Sequence, residues 1–586
     1  MFYNYEVNYS DLEGKIYPIK NKGAEYIALE ISRIYIPEKK YTKVDRKVIG
    51  KPIADKPGFM NPNGNFEQYF PDAIPKDQDS TKRCKALTVG EHILINKTVE
   101  NLELDKHLEK AGFDKETSNF ILDFASYQII EQSNVAQYFE QYEAKHALFA
   151  EDMHIISDST VSRKFEDDIP QENILDFFDS WNKDRDKTER VWCSYDSTNM
   201  NCQAGDIEFA DYGWAKDDPS KPVIEYSIVY DTTNHIPLLY EFYPGDITDT
   251  AQLEIVIDKV HDYGYNNVGF ILDRGYFSKT NLEAMDKYKM AYIIMMKAHK
   301  KLVRSIIDDN RGTFENMYES KMKYYEPIYG KHVKAKLDAS DKTERNIYIY
   351  FNAARQLAES SNFVAAIEDM ELHLQKIIAH PEYKDRYKVG ELYKKFFDLV
   401  YDKDDPKLLI SYTPKHDVIN KEVSYMGYFC IIHNDPNEEK LLTPSEVYKL
   451  YKSRDVSEKV FNGKTFIGDD ALRAYSLSRV TAKKFVAFIA SIIRNDIHYH
   501  LFDSLKCLGK KRNYMQVPSA LKELSMIIIN EGQAGNYSLD HAINKKEKDI
   551  FEAFDMTEDD VYTSIAKTTE RLSKQFVHCK RTKAAK

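Results

Sequence analysis

Val268-Gly269-Phe270-Ile271-Leu272-Asp273-Arg274-Gly275-Tyr276 is the stretch on which the fold turns. An uncharged, largely β-favouring run bounded by turn chemistry predicts a strand buried on both faces. Upstream, Val191-Trp192-Cys193-Ser194-Tyr195 has the same form and is predicted to end at Asp196. Between the two, residues 223–230 and 236–242 read as strands joined by Asp231-Thr232-Thr233-Asn234-His235, a hairpin turn. Pro244-Gly245-Asp246 stops the third strand, and a helix comes next with Leu253, Ile257, Val260 and His261 on one stripe. A helix near 281–287 and a strand at 291–296 come after Asp273. The order β-β-β-α-β-α-β is that of an antiparallel meander whose later strands return through crossover helices. The fold class is α/β, a mixed sheet with helices on its faces.

Residues 301–424 interrupt this pattern with β-like pieces at 331–337 and 347–351 and a charged helical stretch at 363–400, so they read as an insertion. Tyr428-Phe429-Cys430-Ile431-Ile432 is one more strand. On the N-terminal side, residues 98–187 are helical by periodicity, with Leu102, Leu108, Phe113, Phe120, Ile121, Phe124 and Ile129 at helical spacing. There, Ser157-Asp158-Ser159-Thr160-Val161-Ser162-Arg163-Lys164 is either the second helix of a helix-turn-helix or a short connecting helix. Residues 26–31 and 44–49 read as strands, and the Gly-, Pro- and Asn-rich 58–71 as loop. The chain therefore divides into a β-rich basic region (1–97), a helical region (98–187), a core in two parts (188–300 and 425–500), the insertion (301–424) and a C-terminal helical region (501–586).

Charge narrows the partners. The 586 residues carry a net charge of −12, which excludes a uniformly basic coat. Yet residues 1–97 hold 16 Lys/Arg against 13 Asp/Glu, the run at 39–51 is basic, and 563–586 holds seven Lys/Arg against one Glu. Basic patches on an acidic protein fit nucleic acid held on particular faces. The longest apolar runs, such as 486–493, fall far short of the ~18 residues a bilayer span needs. The N-terminus lacks the form of a signal peptide, so a cytoplasmic protein is expected. The six cysteines form no CxxC pair, so neither a disulfide framework nor a zinc site is expected. His498, Tyr499 and His500, after an apolar helix at 485–493, read as structural rather than metal-binding.

Asp196 and Asp273 each come after an apolar strand, where open sheets place ligand and metal sites. Either one alone reads first as a turn residue. Two on neighbouring strands read as a joint site, which needs a third acid from a helix. Thr443-Pro444-Ser445-Glu446 is a capping box with Pro at the first helical position, so Glu446 is spoken for. Tyr451, Arg454 and Glu458, at i, i+3 and i+7, share a stripe with Val447, Leu450 and Phe461. Facing a sheet, such groups need pairing or a metal; on a solvated face, Arg454 and Glu458 would make an ordinary i,i+4 ion pair. Three hard oxygen ligands suit Mg²⁺ or Mn²⁺, and such a cluster can hold two ions about 4 Å apart.

These residues resemble those of the bacterial insertion-sequence DDE transposases, in the large branch with a Tyr-Arg-Glu-Lys motif (the "IS-four" type superfamily). Four segments carry the likeness: Tyr195-Asp196-Ser197-Thr198; Gly213-Trp214-Ala215-Lys216-Asp217 through Ile236-Pro237-Leu238 to Tyr243-Pro244-Gly245-Asp246-Ile247-Thr248-Asp249; Leu272-Asp273-Arg274-Gly275-Tyr276; and Tyr451-x-x-Arg454-x-x-x-Glu458. The resemblance covers roughly 188–300 and 425–500. It implies a ribonuclease-H-like core with a β-containing insertion, and Asp196, Asp273 and Glu458 as catalytic metal ligands. It also implies that Tyr451 and Arg454 contact DNA phosphate. Arg274 either reaches DNA or simply belongs to a tight turn with Gly275 at positive φ. Where the family has its Lys this chain has Thr465; Lys464 stands one residue earlier, after the Phe461-Asn462-Gly463 break, and is the candidate for that role if the break shifts the register. Met426-Gly427 stands where an acidic residue is more usual.

The expected function is a DNA transposase that binds the terminal inverted repeats of its element, hydrolyses a phosphodiester and transfers the strand to target DNA. It would act as a homodimer on DNA, at the nucleoid, without membrane contact. The alternatives are a structure-selective nuclease on the same fold, or an inactive transposase-derived DNA-binding protein.

Overall fold

The computed structural model describes residues 6–584 except 22, 37–40, 54–55, 71–72, 74–82, 186, 188–189, 203–206, 208–209, 214, 216–217, 248, 299–300, 324, 326, 342, 384–388, 438–439, 455–466, 468–473, 508–514 and 532–536. The chain forms two units, residues 1–177 with 464–586, and residues 178–463. Glu458, Lys464, Phe461, Trp214 and Thr248 lie outside the described residues.

The first unit opens with β1 (Val7–Asn8), β2 (Ile16–Asn21), β3 (Ala24–Ile36), β4 (Tyr41–Pro52) and β5 (Phe59–Pro62), in the sheet order β1-β5-β4-β3-β2. The strands expected at 26–31 and 44–49 are the inner parts of β3 and β4. The segment 58–71, expected as loop, instead supplies β5 and a short helix, Gly64–Tyr69. Asn63 caps that helix by accepting from the Asn65 and Phe66 N–H groups, and Phe66 is buried with Val7, Ile27, Leu29, Ile49 and Met60. The asparagine that looks like loop chemistry is a cap, and a core assembled from distant strands holds the helix it starts.

After β6 (Ala86–Thr88) come helices at Gly90–Asn101, Leu104–Lys110, Lys115–Glu131, Ala136–Glu143, Asp158–Asp167 and Gln171–Lys183. Ser157 caps the fifth by accepting from the Thr160 N–H, and Val161 and Phe165 anchor it.

The second unit is built on an eight-stranded sheet. Its strands in chain order are β7 (Val191–Asn201), β8 (Val223–Asp231), β9 (Ile236–Pro244), β10 (Val268–Leu272), β11 (Ala291–Met295), β12 (Ile328–Ala335), β13 (Arg345–Asn352) and β16 (Tyr428–Asn434). Their spatial order is β12-β13-β16-β11-β10-β7-β8-β9. β7, β8 and β9 are the expected antiparallel meander, while β10 runs parallel to both β7 and β11. The Asp231 carboxylate closes the β8–β9 hairpin by accepting from the Thr233 N–H (2.8 Å), the Asn234 N–H (2.9 Å) and Asn234 Nδ2 (2.7 Å), and His235 takes φ +60°. β8 and β10 are buried along their whole length; β10 is apolar throughout, whereas β8 also buries Glu225, Ser227 and Asp231. On the Asp249–Asp262 helix the buried stripe is Leu253, Val256, Ile257 and Val260; His261 is exposed, because the 3.6-residue period carries its side chain past the edge of the stripe.

The β pieces expected at 331–337 and 347–351 are β12 and β13, and they extend this same sheet beyond β16. Residues 353–423 then leave it. The Ala353–Ala379 helix packs with β14 (Phe397–Tyr401), β15 (Leu409–Pro414) and the His416–Val423 helix around a small core of their own, centred on Leu374, Phe396 and Phe397.

Residues 464–586 complete the first unit. The Leu477–Cys507 helix is buried along Phe485–Ile493 and packs on the Lys115–Glu131 helix. His498, Tyr499 and His500 lie inside this helix rather than after it. His500 pairs with Asp496 (3.2 Å) and stacks on Phe554. β17 (Ile528–Glu531) joins β6 and β18 (Tyr537–Leu539) in a small sheet. No helix among the described residues is long and apolar enough to cross a membrane.

Three of the buried acids of this unit are raised well above the ordinary carboxylate range. Burial pushes Asp123 up to about 7, Glu91 to about 8 and Glu143 to about 9. Backbone N–H groups partly oppose burial: Asp123 accepts from Phe149 and Ala150, and Glu143 from Ile156. A carboxyl raised on folding contributes stability at acid pH that is lost as pH rises through the raised value, at about 1.4 kcal/mol per pKa unit. The denaturation midpoint of the full chain is therefore expected to fall between pH 6 and pH 9, and Glu143→Gln to flatten the fall. Equal midpoints at the two pH values, or an unchanged fall in the variant, would show these acids to be ionised in the fold.

Candidate active site

Two of the expected acids lie on neighbouring interior strands of the central sheet, Asp196 within β7 and Asp273 just after β10. The parallel pairing of β10 with β7 matches Val268 to Val191 and Ile271 to Ser194. Carried two residues further, this register brings Asp273, the first residue after β10, level with Asp196. Asp196 does not end its strand, as the sequence suggested. β7 runs on to Asn201, because its antiparallel pairing with β8 continues to Asn201–Val223 after β10 has stopped at Leu272. Beyond Leu272 no strand among the described residues pairs that side of β7, and this is the level at which Asp196 and Asp273 stand.

Alternation decides which way they face. Trp192, Ser194 and Asp196 share one face of β7, and Gly269, Ile271 and Asp273 the matching face of β10. Gly269 is required there, since a Cβ would lie 2.5 Å from the Trp192 ring. Ile271 belongs to a core with Ile293, Tyr348, Tyr350, Phe429, Ile431, Val447, Tyr448 and Tyr451. Both acids thus open toward the face covered by the helix Pro444–Lys452.

That helix starts where its capping box requires. The Glu446 N–H donates to Thr443 Oγ1 (3.3 Å), and the Glu446 carboxylate accepts from the Thr443 N–H (2.7 Å). Val447 and Tyr451 point into the core, and full burial of a side chain such as Val447 contributes about 1.5–3 kcal/mol. The Tyr451 hydroxyl donates to Asp273 Oδ1 at 3.4 Å. The helix closes at Lys452, where Ser453 Oγ donates to the Leu450 carbonyl and the Arg454 N–H to the Tyr451 carbonyl in a turn; the rest of the expected stripe, Glu458 and Phe461, lies outside the described residues. Such a Ser competes with the helical ladder for its own carbonyls. Arg454 is half-buried, its guanidinium 5.7 Å from the Tyr451 ring centre.

The loop after β10 is a 3-10 turn, Arg274–Tyr276. Arg274 and Gly275 are exposed, and Gly275 is absent from the positive-φ residues, because this turn stays in the right-handed region. Tyr276, to which the sequence assigned no role, ties the two acid-bearing segments together. Its hydroxyl lies 2.7 Å from Ser197 Oγ, and its ring packs on Tyr195 at 5.1 Å. The only sequence signal for it was its place beside Asp273. Among the described residues no cluster of three or more metal-binding side chains forms, the third expected acid, Glu458, lying outside them.

Gly213 and Gly245 also have a structural cause. A Cβ on Gly213 would fall 1.8 Å from the Gly245 carbonyl oxygen, so two stretches of main chain cross there at contact distance.

Comparison with known proteins gives three results. No curated protein matches the chain. A solved piggyBac transposase synaptic complex with hairpin DNA is similar over 75% of this chain and 77% of that one, at 8% identity and a TM-score of 0.34. The family model for the transposase DDE domain matches residues 187–493, more than half of the sequence, including all eight strands of the central sheet, Asp196 and Asp273. The chain belongs to the DDE transposase family.

Proposed function

We propose that this protein is a DNA transposase of the insertion-sequence type, in the Tyr-Arg-Glu-Lys branch, with a ribonuclease-H-like core formed by β9-β8-β7-β10-β11. The observation that carries the reading is the in-register pair Asp196 and Asp273, opening toward the helix from which Tyr451 reaches Asp273. Two hard carboxylates side by side suit a divalent cation and repel one another without it. Asp196 and Asp273, with Glu458, would hold Mg²⁺ or Mn²⁺, which when bound supplies activation of the attacking oxygen and stabilisation of the leaving one.

The chain's own residues do the rest. Tyr451 holds the Asp273 carboxylate in place from the core. Arg454, Arg274 and Lys464 bind phosphate of the DNA end. Water first displaces the 3′-oxygen at a phosphodiester on the element end. The freed 3′-hydroxyl then displaces a 3′-oxygen in target DNA, so one phosphodiester breaks for each one formed. The basic N-terminal region would bind the terminal repeats, and two copies would join the paired ends.

The test uses the full chain and a plasmid carrying the gene with its flanking DNA. Cleavage at the element ends is expected with Mg²⁺ or Mn²⁺ and not with EDTA, and pre-cleaved ends are expected to join a target plasmid. Cutting without joining would favour a structure-selective nuclease. Absence of nicking even with Mn²⁺ would favour an inactive DNA-binding derivative.

A further inference from the structure

β3 and β4 are longer than the sheet that holds them. β2 pairs β3 only from Ala24 to Leu29, and β5 pairs β4 only from Gly50 to Pro52. Beyond those limits, Ser32–Ile36 of β3 pairs Tyr41–Asp45 of β4 with no further strand on either side among the described residues. At about 3.4 Å per residue this free ribbon runs about 17 Å. A bulge at its root, between Glu30 and Ser32, adds one residue to β3 and turns the ribbon relative to the sheet. Glu30 locks that root by accepting from Arg33 Nε (2.8 Å), Arg33 Nη2 (2.7 Å) and Tyr17 (3.3 Å).

The side chains on the ribbon do not suit a solvated hairpin. Ile34 and Tyr35 are each 59% exposed. Lys43 is exposed on the ribbon and Arg46 and Lys47 at its root, opposite Glu30 and Leu29, with Asp45 the one acid of β4. By register, Tyr35 shares a face with Arg33, Val44 and Arg46, and Ile34 shares the other with Lys43. Each face thus carries an apolar contact group beside a cation. A two-stranded ribbon is about the width that the ~12 Å major groove admits, and cations along its flanks meet the phosphates there.

We propose that the β3–β4 ribbon enters a groove of duplex DNA, with Lys43, Arg46 and Lys47 on phosphates and Ile34 and Tyr35 against base edges. The inference rests on the transposase reading and names the element that would read the DNA.

The test begins with the full-length protein and a pool of random-sequence duplexes, from which it selects a preferred site. That selected duplex is then the probe. Lys43→Ala/Arg46→Ala/Lys47→Ala is expected to lower the slope of log affinity against log salt by about 2 to 3, at roughly 0.9 per phosphate contact. Ile34→Ala/Tyr35→Ala is expected to keep that slope and lose about tenfold in preference for the selected duplex over random DNA. All five side chains are exposed or half-exposed, so unfolding midpoints should match the wild type. Wild-type binding by both variants, together with wild-type cleavage, would overturn the ribbon proposal and leave the transposase reading standing. Variants that bind DNA normally but pass from dimer to monomer in light scattering would overturn it in favour of pairing between two copies. A wild-type protein that binds no duplex would overturn both.

Discussion

Asp196→Asn and Asp273→Asn are each expected to lower end cleavage by about 10²–10³-fold or more, with duplex binding kept and the unfolding midpoint unchanged or raised. The first effect comes from the place of the two acids. On the proposed mechanism each would supply a fixed negative oxygen where the site must gather positive charge, and removing one such preorganised group costs on the order of 10²–10³ or more in rate. The second comes from the register. Like charges set side by side on neighbouring strands oppose folding by a few tenths to about 1 kcal/mol, so an amide of the same shape relieves strain. Loss of activity with stability gained separates a functional pair from a structural one. Glu458→Gln should likewise lower end cleavage. The assay is cleavage of end-bearing DNA beside a chemical denaturation curve, and a variant that cuts at the wild-type rate would sink the assignment of its residue.

Arg345→Met should cost about 3–5 kcal/mol of stability, the size expected when one partner of a buried ion pair is removed. Arg345 is 4% exposed. Its Nε lies 3.0 Å from Asp341 and its Nη1 2.8 Å from Asp286, and it also donates to the Tyr292 hydroxyl. Asn434 Nδ2 reaches Asp286 at 3.2 Å, so one guanidinium joins β13, the end of β16, β11 and the helix Lys279–Lys287. Methionine fills the volume but strands the buried Asp341 carboxylate. Burial alone would raise that carboxyl; Arg345 and the Thr343 and Leu337 N–H groups outweigh it and hold it below the ordinary range. A depressed carboxyl contributes stability above its unfolded pKa of about 4 and loses it as pH falls through the folded value. The wild-type midpoint should therefore drop on acidification more steeply than the variant's. Arg345→Lys keeps the charge but not the planar fork, and should recover only part of the loss. A Met variant within 1 kcal/mol of the wild type would show the network to be replaceable.

The legible parts of this molecule were those whose causes lie within a few residues. The capping box at Thr443 and Glu446 is complete in four positions, and it rightly removed Glu446 from the search for a third acid. The Asp231–His235 turn closes through one carboxylate and the next few backbone donors. The apolar runs ahead of Asp196 and Asp273 announced buried strands, and the helices between them announced a parallel return. The parts misread were those that distant pairing controls. The Asn63 cap looked like loop because nothing local shows that Phe66 will be buried. Asp196 looked like a strand end because the partner that extends β7, residues 223–229, lies more than twenty positions away.

Sequence by itself thus determined the α/β order, the two acids and their place after apolar runs, since these depend on side-chain period and local hydrogen bonding. Only the tertiary structure decided that Asp196 and Asp273 share a face, that Tyr451 reaches one of them, that Tyr276 ties their two segments, and that β12 and β13 join the central sheet. Those outcomes depend on which strands pair and in what register, an interaction spread over long chain separations that no short window encodes.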